Sequence, residues 1–329
     1  MKKVITTGIK PTGVPHIGNY FGAIKPAIEM SKSDDYDSYY FIADYHALNY
    51  IKDKKQLQDN IKELACTWLA CGIDPNKTIF YKQSLVPEVT ELNWLLCNVT
   101  SKGLLNRAHA YKAMVDKNIQ AGDEPDNLVN MGLYNYPVLM AADILMMNAK
   151  YVPVGLDQKQ HVEMARDIAK AFNKTYGNTF VIPTEVIKEE VATIAGTDGR
   201  KMSKSYNNVI PLFCDEAKLK KLVSGIVTDS SLPNEPKSTD CALFKLYKLF
   251  GSEAQIKTYA EKFASGISWA DAKRELFEVM NNVLTPIRDK YNYYMTHYDE
   301  VEKMLIDGSK KVQKIARETL QRAREAIGL

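Results

Sequence analysis

Between residues 4 and 182, short runs of β-branched and aromatic residues alternate with longer segments of helical period, and this alternation is the feature that most limits the fold. The runs are Val4-Ile5-Thr6-Thr7, Tyr39-Tyr40-Phe41-Ile42, Thr78-Ile79-Phe80-Tyr81 and Phe180-Val181-Ile182, with Tyr151-Val152-Pro153-Val154 a less regular fifth. Between them, Asp53 is placed to cap a helix whose Leu57, Ile61, Leu64, Ala65 and Trp68 share one face. Strands separated by helices cannot close as hairpins, so each successive strand must return parallel to the last. The expectation is an α/β domain on a parallel sheet.

From Asp215 onward the strand signal fades. Leu219-Leu222-Val223-Ile226 and Leu243-Phe244-Tyr247-Phe250 keep a period near 3.6, and Ser268-Trp269-Ala270-Asp271 has the form of a capping box. Residues 228–240, with Pro233 and Pro236 among Asp, Ser and Asn, predict an interrupting loop. A last helix over residues 310–326 aligns Val312, Ile315, Ala316, Leu320 and Ala323. It carries Lys310, Lys311, Lys314, Arg317, Arg322 and Arg324 against only Glu318 and Glu325. Such a run is more often a solvated helix face than a phosphate-contacting surface. The pattern divides the chain into 1–209, with a helical insertion near 84–140, and an all-α segment 210–329.

Composition removes several classes of protein. At 329 residues, 45% hydrophobic and 25% charged, the chain can bury a core without metal or disulfide staples. A net charge of +3 is too small to attract nucleic acid by bulk charge, so any RNA partner must be read from local patches. Cys66, Cys71, Cys97, Cys214 and Cys241 contain no CxxC pair and read as reduced packing thiols. Met1-Lys2-Lys3 is followed by no apolar signal core, and the most apolar stretch, 138–147, is interrupted by Asp143 and far short of a bilayer span. A cytoplasmic protein without membrane partners is expected.

Two segments carry chemistry. The first strand runs into Gly8-Ile9-Lys10-Pro11-Thr12-Gly13 and Pro15-His16-Ile17-Gly18-Asn19, after which Ile17, Phe21, Ile24 and Ile28 are helically spaced. A helix start after the first strand of a parallel sheet gathers free N–H groups and positive dipole, which suits a phosphate. Alone, the tetrapeptide His-x-Gly-x is more often a Gly/Pro turn with an incidental histidine. Far downstream, Gly199-Arg200-Lys201-Met202-Ser203-Lys204-Ser205 sets two lysines three residues apart on a loop, a cationic clamp able to follow charge onto a leaving group.

Pro15-His16-Ile17-Gly18-Asn19 resembles the HIGH signature of the class I aminoacyl-tRNA synthetases, and Lys201-Met202-Ser203-Lys204-Ser205 is identical to their KMSKS signature. The two lie 185 residues apart in the expected order. All five letters of the second arise by chance in roughly one in ten thousand chains of this length, so the pair outweighs the usual false positives. Within that class, residues 8–13, 140–145, 152–161 and 227–230 are similar to the tryptophanyl-tRNA synthetases.

The resemblance implies a Rossmann-type catalytic domain with a helical insertion that forms a homodimer interface, then an all-α domain that reads the anticodon of tRNA(Trp). It implies that L-tryptophan is activated by ATP with Mg²⁺ and then transferred to tRNA. His16, Asn19, Lys201 and Lys204 would be catalytic. Lys10, Pro11, Thr12, Gly18, Gly155, Leu156, Asp157, Ile194, Met202, Ser203 and Ser205 would join them in binding ATP. Asp143 would accept from the indole N–H, with His46, Met140, Val152 and Val154 as walls, and Tyr136 and Gln158 would hold the ammonium and carboxylate ends. Without those flanking matches, an Asp on an apolar face is more often a structural carboxylate, and His46 a satisfied core histidine. No protein metal cage is expected, and Cys214 and Cys241 lack clustered partners for the iron–sulfur site of some relatives. Asn19 replaces the last His of HIGH, and Tyr206-Asn207-Asn208 follows the second signature where relatives carry Asp-Pro-Asn or Asp-Asp-Asn. The rival expectations are a tyrosine-specific enzyme of the same group, an RNA-independent nucleotidyltransferase and a non-catalytic RNA-binding paralogue.

Overall fold

The computed structural model describes residues 2–187 and 194–329. Five strands form one parallel sheet: β1 (Lys3–Ile9), β2 (Tyr36–Ile42), β3 (Thr78–Lys82), β4 (Tyr151–Val154) and β5 (Thr184–Ile187), in spatial order β3-β2-β1-β4-β5. Strand order reverses at β1, the topological switch point of a Rossmann-type sheet, where ligands enter at the carboxyl ends. β1 pairs with β2 along its whole length, from Lys3↔Tyr36 to Ile9↔Ile42, but with β4 only at Ile5↔Tyr151. The strands on either side of the switch point therefore part toward their carboxyl ends and leave a crevice.

After β1 comes a helix in three pieces: α1 (Ile17–Asn19), a π-helical turn (Tyr20–Ile24) and α2 (Lys25–Ser31). Ile17, Phe21, Ile24 and Ile28 are all buried, as their spacing predicts. Pro26 has no N–H to donate, and the widened turn just before it is where such a chain departs from the α ladder. Next are α3 (Asp44–Ala47) and α4 (Lys54–Cys71), whose Asp53 cap accepts from Gln56 N–H at 2.7 Å. The insertion between β3 and β4 holds α5 (Glu88–Cys97), α6 (Lys102–Leu105), α7 (His109–Ala121) and α8 (Met131–Met146). α9 (Lys159–Tyr176) crosses to β5. α10 (Glu216–Ser224), α11 (Ala242–Phe250), α12 (Glu253–Ser265), α13 (Trp269–Thr296) and α14 (Tyr298–Ile327) complete an all-α region. Among the described residues no helix is long and apolar enough to cross a membrane.

The period-2 pattern of the strands builds a core on each face of the sheet. Tyr40, Ile42 and Phe80 point to one face with α4 and the helices α10–α13, while Phe41 and Tyr81 point to the other with α5, α8 and α9. α14 joins both: Val301 and Leu305 belong to the first core, and Val312, Ala316, Leu320 and Ala323 to the second. It passes over the edge strand β3, where Lys82 N–H donates to Ser309 Oγ at 3.4 Å, and so covers an edge that would otherwise pair with another chain.

Three local expectations need correcting. Phe180-Val181-Ile182 is not a strand, and the fifth strand is Thr184–Ile187. The Asn173 side chain donates to Phe180 C=O (2.8 Å) and accepts from Phe180 N–H (2.9 Å), which takes the backbone groups a ladder would need. The last helix begins at Tyr298, not near 310. Gly308 lies inside it, and a Cβ there would lie 2.1 Å from Phe80 O, so the glycine lets helix and strand touch. Ser268 caps α13 through Asp271 N–H at 3.0 Å, but the Asp271 carboxylate accepts from the Ser268 hydroxyl at 2.6 Å rather than from backbone as in a true capping box. Replacing Gly308 by Ala should destabilise the protein by about 2–3 kcal/mol. A thermal melt reads this, and an unchanged midpoint would show that α14 does not depend on that approach.

Candidate active site

A cleft of about 1360 Å³ opens at the carboxyl ends of β1 and β4. Lys10, Thr12, His16, Gly18 and Asn19 line it from the loop after β1, and Tyr136, Met140 and Asp143 from α8, with His46 beside them. Val152, Val154, Gly155, Leu156 and Gln158 line it from β4 and the turn beyond, and Ile194, Lys201, Met202, Ser203 and Ser205 from the downstream loop. Nearly all the residues singled out in the sequence thus face one space. Pro11 does not; it is buried and its carbonyl accepts from Asn60 Nδ2 at 3.2 Å. Lys204 is exposed outside this lining, at the start of a 3₁₀ turn (Lys204–Tyr206). The side chain of Asp157 lies outside the described residues.

The two signatures are joined by backbone. Ile17 N–H donates to Ile210 C=O and Leu212 N–H to Pro15 C=O, both at 3.0 Å, so the segment after the second signature lies antiparallel against the first. Asn19 Oδ1 accepts from His16 N–H at 3.0 Å, which fixes the start of α1 and leaves the Asn19 Nδ2 donors for another partner. A Cβ on Gly18 would sit 2.8 Å from the His16 ring and 3.6 Å from Met202 Sδ. Only glycine lets the imidazole lie back over the helix start with Met202 against it. His16 is 9% exposed, and burial, followed by the charge of Lys204, holds its pKa below the ordinary histidine range. A neutral imidazole stands here, with a lysine close enough to act on it.

The downstream loop is held from inside by Asn208, a residue that sequence reasoning noticed only as part of a departure. Its Oδ1 accepts from Ser203 N–H (2.8 Å), and its Nδ2 donates to Asp198 Oδ1 (2.7 Å) and Lys201 C=O (3.0 Å). Met202 is buried and its N–H donates to Ile194 C=O at 2.8 Å, so the methionine anchors the loop while the lysines on either side of it stay in solvent. Asn207 takes the left-handed conformation at φ 52°, which asparagine tolerates better than most residues.

At the other end of the cleft, Asp143 is 2% exposed. His46 Nε2 lies 2.9 Å from its Oδ2, and Gln83 Nε2 donates to Oδ1 at 2.9 Å and Oδ2 at 3.0 Å. Burial raises the Asp143 pKa, and the hydrogen bonds of His46 and Gln83 oppose that rise. The carboxylate is therefore both a satisfied buried group and part of the cleft wall, and His46 is its partner as well as a wall. Tyr136 Oη lies 2.6 Å from His161 Nε2, and His161 Nδ1 lies 2.9 Å from Gln158 Oε1. Burial, with the neighbouring Tyr50, pushes the Tyr136 phenol up to about 12, so it stays protonated and donates to Nε2. Nδ1 then carries the proton given to Gln158. Gln83 and His161 were missed because their partners are fixed by the fold. The only signals were a polar residue just past the end of β3 and a histidine in the run 152–161.

Residues 2–285 match the family model for tRNA synthetases class I (W and Y). The chain is 52% identical over 329 residues to the tryptophan–tRNA ligase of Pseudomonas aeruginosa, covering 99% of this chain and 73% of that one. It is 52% identical to the Xanthomonas campestris ligase of the same name, covering 99% and 76%. Among solved structures, the tryptophanyl-tRNA synthetase of Campylobacter jejuni complexed with ADP and tryptophan superposes with a TM-score of 0.89 at 43% identity, over 99% of this chain and all of that one. The chain belongs to the class I aminoacyl-tRNA synthetases of the tryptophan and tyrosine group. Its place within that group is with the tryptophanyl-tRNA synthetases.

Proposed function

We propose that this chain carries out its tryptophan–tRNA ligase reaction in the cleft at the switch point, with roles set by what faces it. The observation that carries the reading is the single cleft lined by His16, Gly18 and Asn19 of the first signature, Lys201, Met202 and Ser203 of the second, and Asp143. ATP lies with its ribose on the turn 155–157, its adenine by Ile194 and its triphosphate between His16, Asn19 and the loop 201–205. The tryptophan carboxylate oxygen attacks the α-phosphorus in line, the bond to the bridging oxygen breaks, and pyrophosphate leaves. The nucleophile is already an anion, so no base is needed and the rate comes from positioning and charge stabilisation. Lys201 and Lys204 take up the charge growing on the leaving group. The described lining offers no carboxylate at this end, so Mg²⁺ would be held by the triphosphate and water and would supply further neutralisation. The terminal ribose hydroxyl of tRNA(Trp) then attacks the aminoacyl carbonyl and AMP leaves.

At the amino-acid end, Asp143 accepts from the indole N–H, and Tyr136 and Gln158, tied together through His161, hold the ammonium and carboxylate. Residues 1–209 perform activation, 210–329 read the tRNA, and α14 bridges the two. Arg317 and Arg324 of α14 pair with Glu88 and Glu91 of α5, so part of its basic face is used within the chain. The insertion exposes Trp94, Ile119, Leu128 and Met131, each more than half accessible, as the interface of a homodimer. The enzyme works in the cytoplasm, where tRNA and ATP are. Tryptophan-dependent exchange of pyrophosphate into ATP tests the reading, and tyrosine-dependent exchange without it would overturn the choice of amino acid.

The state of His16 gives a pH prediction. Its pKa is held low in the free protein, and a triphosphate beside it pulls the value back up. Binding therefore takes up a proton between the two values, and ATP affinity rises as pH falls through that window. Calorimetry in buffers of different ionisation enthalpy should show this uptake for the parent and lose it in His16→Asn. Equal uptake in both would remove His16 from the phosphate site.

A further inference from the structure

We propose that Gln83 is a positioning residue for amino-acid selection: it fixes the Asp143 carboxylate as a hydrogen-bond acceptor aimed into the cleft. The inference rests on the reading of Asp143 as the acceptor of the indole N–H.

Gln83 is 1% exposed, at the first position after β3, where the carboxyl end of the strand delivers it beside α8. Its amide cannot turn over. Tyr45 N–H donates to Gln83 Oε1 at 3.1 Å, which commits the oxygen and points the NH₂ group at Asp143. That group spans both carboxylate oxygens, at 2.9 and 3.0 Å, while His46 bonds only Oδ2. A carboxylate offers about four acceptor directions, and these bonds use three, so one remains for a donor in the cleft.

The placement matters because a buried carboxylic acid and a buried carboxylate do opposite things. Burial favours the protonated form, which would present an O–H where the indole needs a lone pair. The charged neighbour Asp44 pushes the same way; Tyr81, on β3, also feels the Asp143 charge. Against them stand His46, through its hydrogen bond and its charge, and the hydrogen bonds of Gln83. Removing the Gln83 donors should raise the proton affinity of Asp143, so the acceptor is lost at neutral pH and regained as pH rises.

The test measures kcat/KM in pyrophosphate exchange for tryptophan and for 3-benzothienylalanine, which has sulfur in place of the indole N–H, from mildly acidic to alkaline pH. Gln83→Met should reduce the preference for tryptophan about tenfold at neutral pH, recover it at alkaline pH and leave the KM for ATP unchanged. An equal fall for both amino acids, or a fall without pH dependence, would make Gln83 merely structural and overturn the proposal. Gln83→Leu removes the same donors with a different shape, so it serves if the methionine variant does not fold. It should show the same pH-dependent loss, and an unchanged preference would likewise overturn the proposal. Asp143→Ala is run in parallel. If it loses the preference while both Gln83 variants keep it, only the role of Gln83 fails; if it keeps the preference, the indole reading fails first.

Discussion

Substituting Lys201 or Lys204 by alanine should lower kcat for tryptophan-dependent pyrophosphate exchange by about 10²- to 10³-fold, with the KM for tryptophan nearly unchanged. Both ammonium groups stand in solvent on a loop whose backbone is fixed by Asn208 and Met202, so truncation removes charge without disturbing a core. Their proposed partner is the charge that builds on the leaving pyrophosphate, which is greater in the transition state than in bound ATP. An interaction of that kind appears in kcat rather than in ground-state binding. Lys204 stands outside the cleft lining while its charge already lowers the His16 pKa. The loop would therefore close onto the triphosphate during the reaction. A variant that raised only the KM for ATP would instead make the lysines ground-state tethers.

Asp143→Ala should cut the discrimination for tryptophan over phenylalanine by about 10³-fold or more while changing the KM for ATP little. A site built around an acceptor rejects a side chain without a donor, because the carboxylate would be left desolvated with one direction unmet. Alanine removes that penalty and leaves Met140, Val152 and Val154, which line the cleft and would grip any aromatic side chain. Exchange kinetics with the two amino acids read the ratio directly. Equal discrimination in variant and parent would return Asp143 to the role of a structural carboxylate held by His46 and Gln83.

The parallel sheet, the capped helix α4 and the all-α C-terminal region were legible because each is written in periodicity, which depends on neighbouring residues alone. That the two signature runs share one cleft was legible for a different reason: their residue types are themselves the signal. What stayed hidden depends on partners distant in sequence. Phe180 has the composition of a strand residue, but Asn173 takes its backbone bonds. Gly308 sits mid-helix because Phe80, far away in sequence, packs against it. Gln83, His161 and Asn208 are ordinary polar residues until the fold sets them against Asp143, Tyr136 and Ser203.

The most direct test is a crystal structure with tryptophan and an ATP analogue whose α,β-bridge is a methylene, which cannot release pyrophosphate. One triphosphate should touch His16 and Asn19 on one side and Lys201 and Lys204 on the other, with the indole nitrogen on Asp143. A nucleotide bound away from either signature, or a loop that stays apart from the phosphates with both substrates in place, would contradict this arrangement.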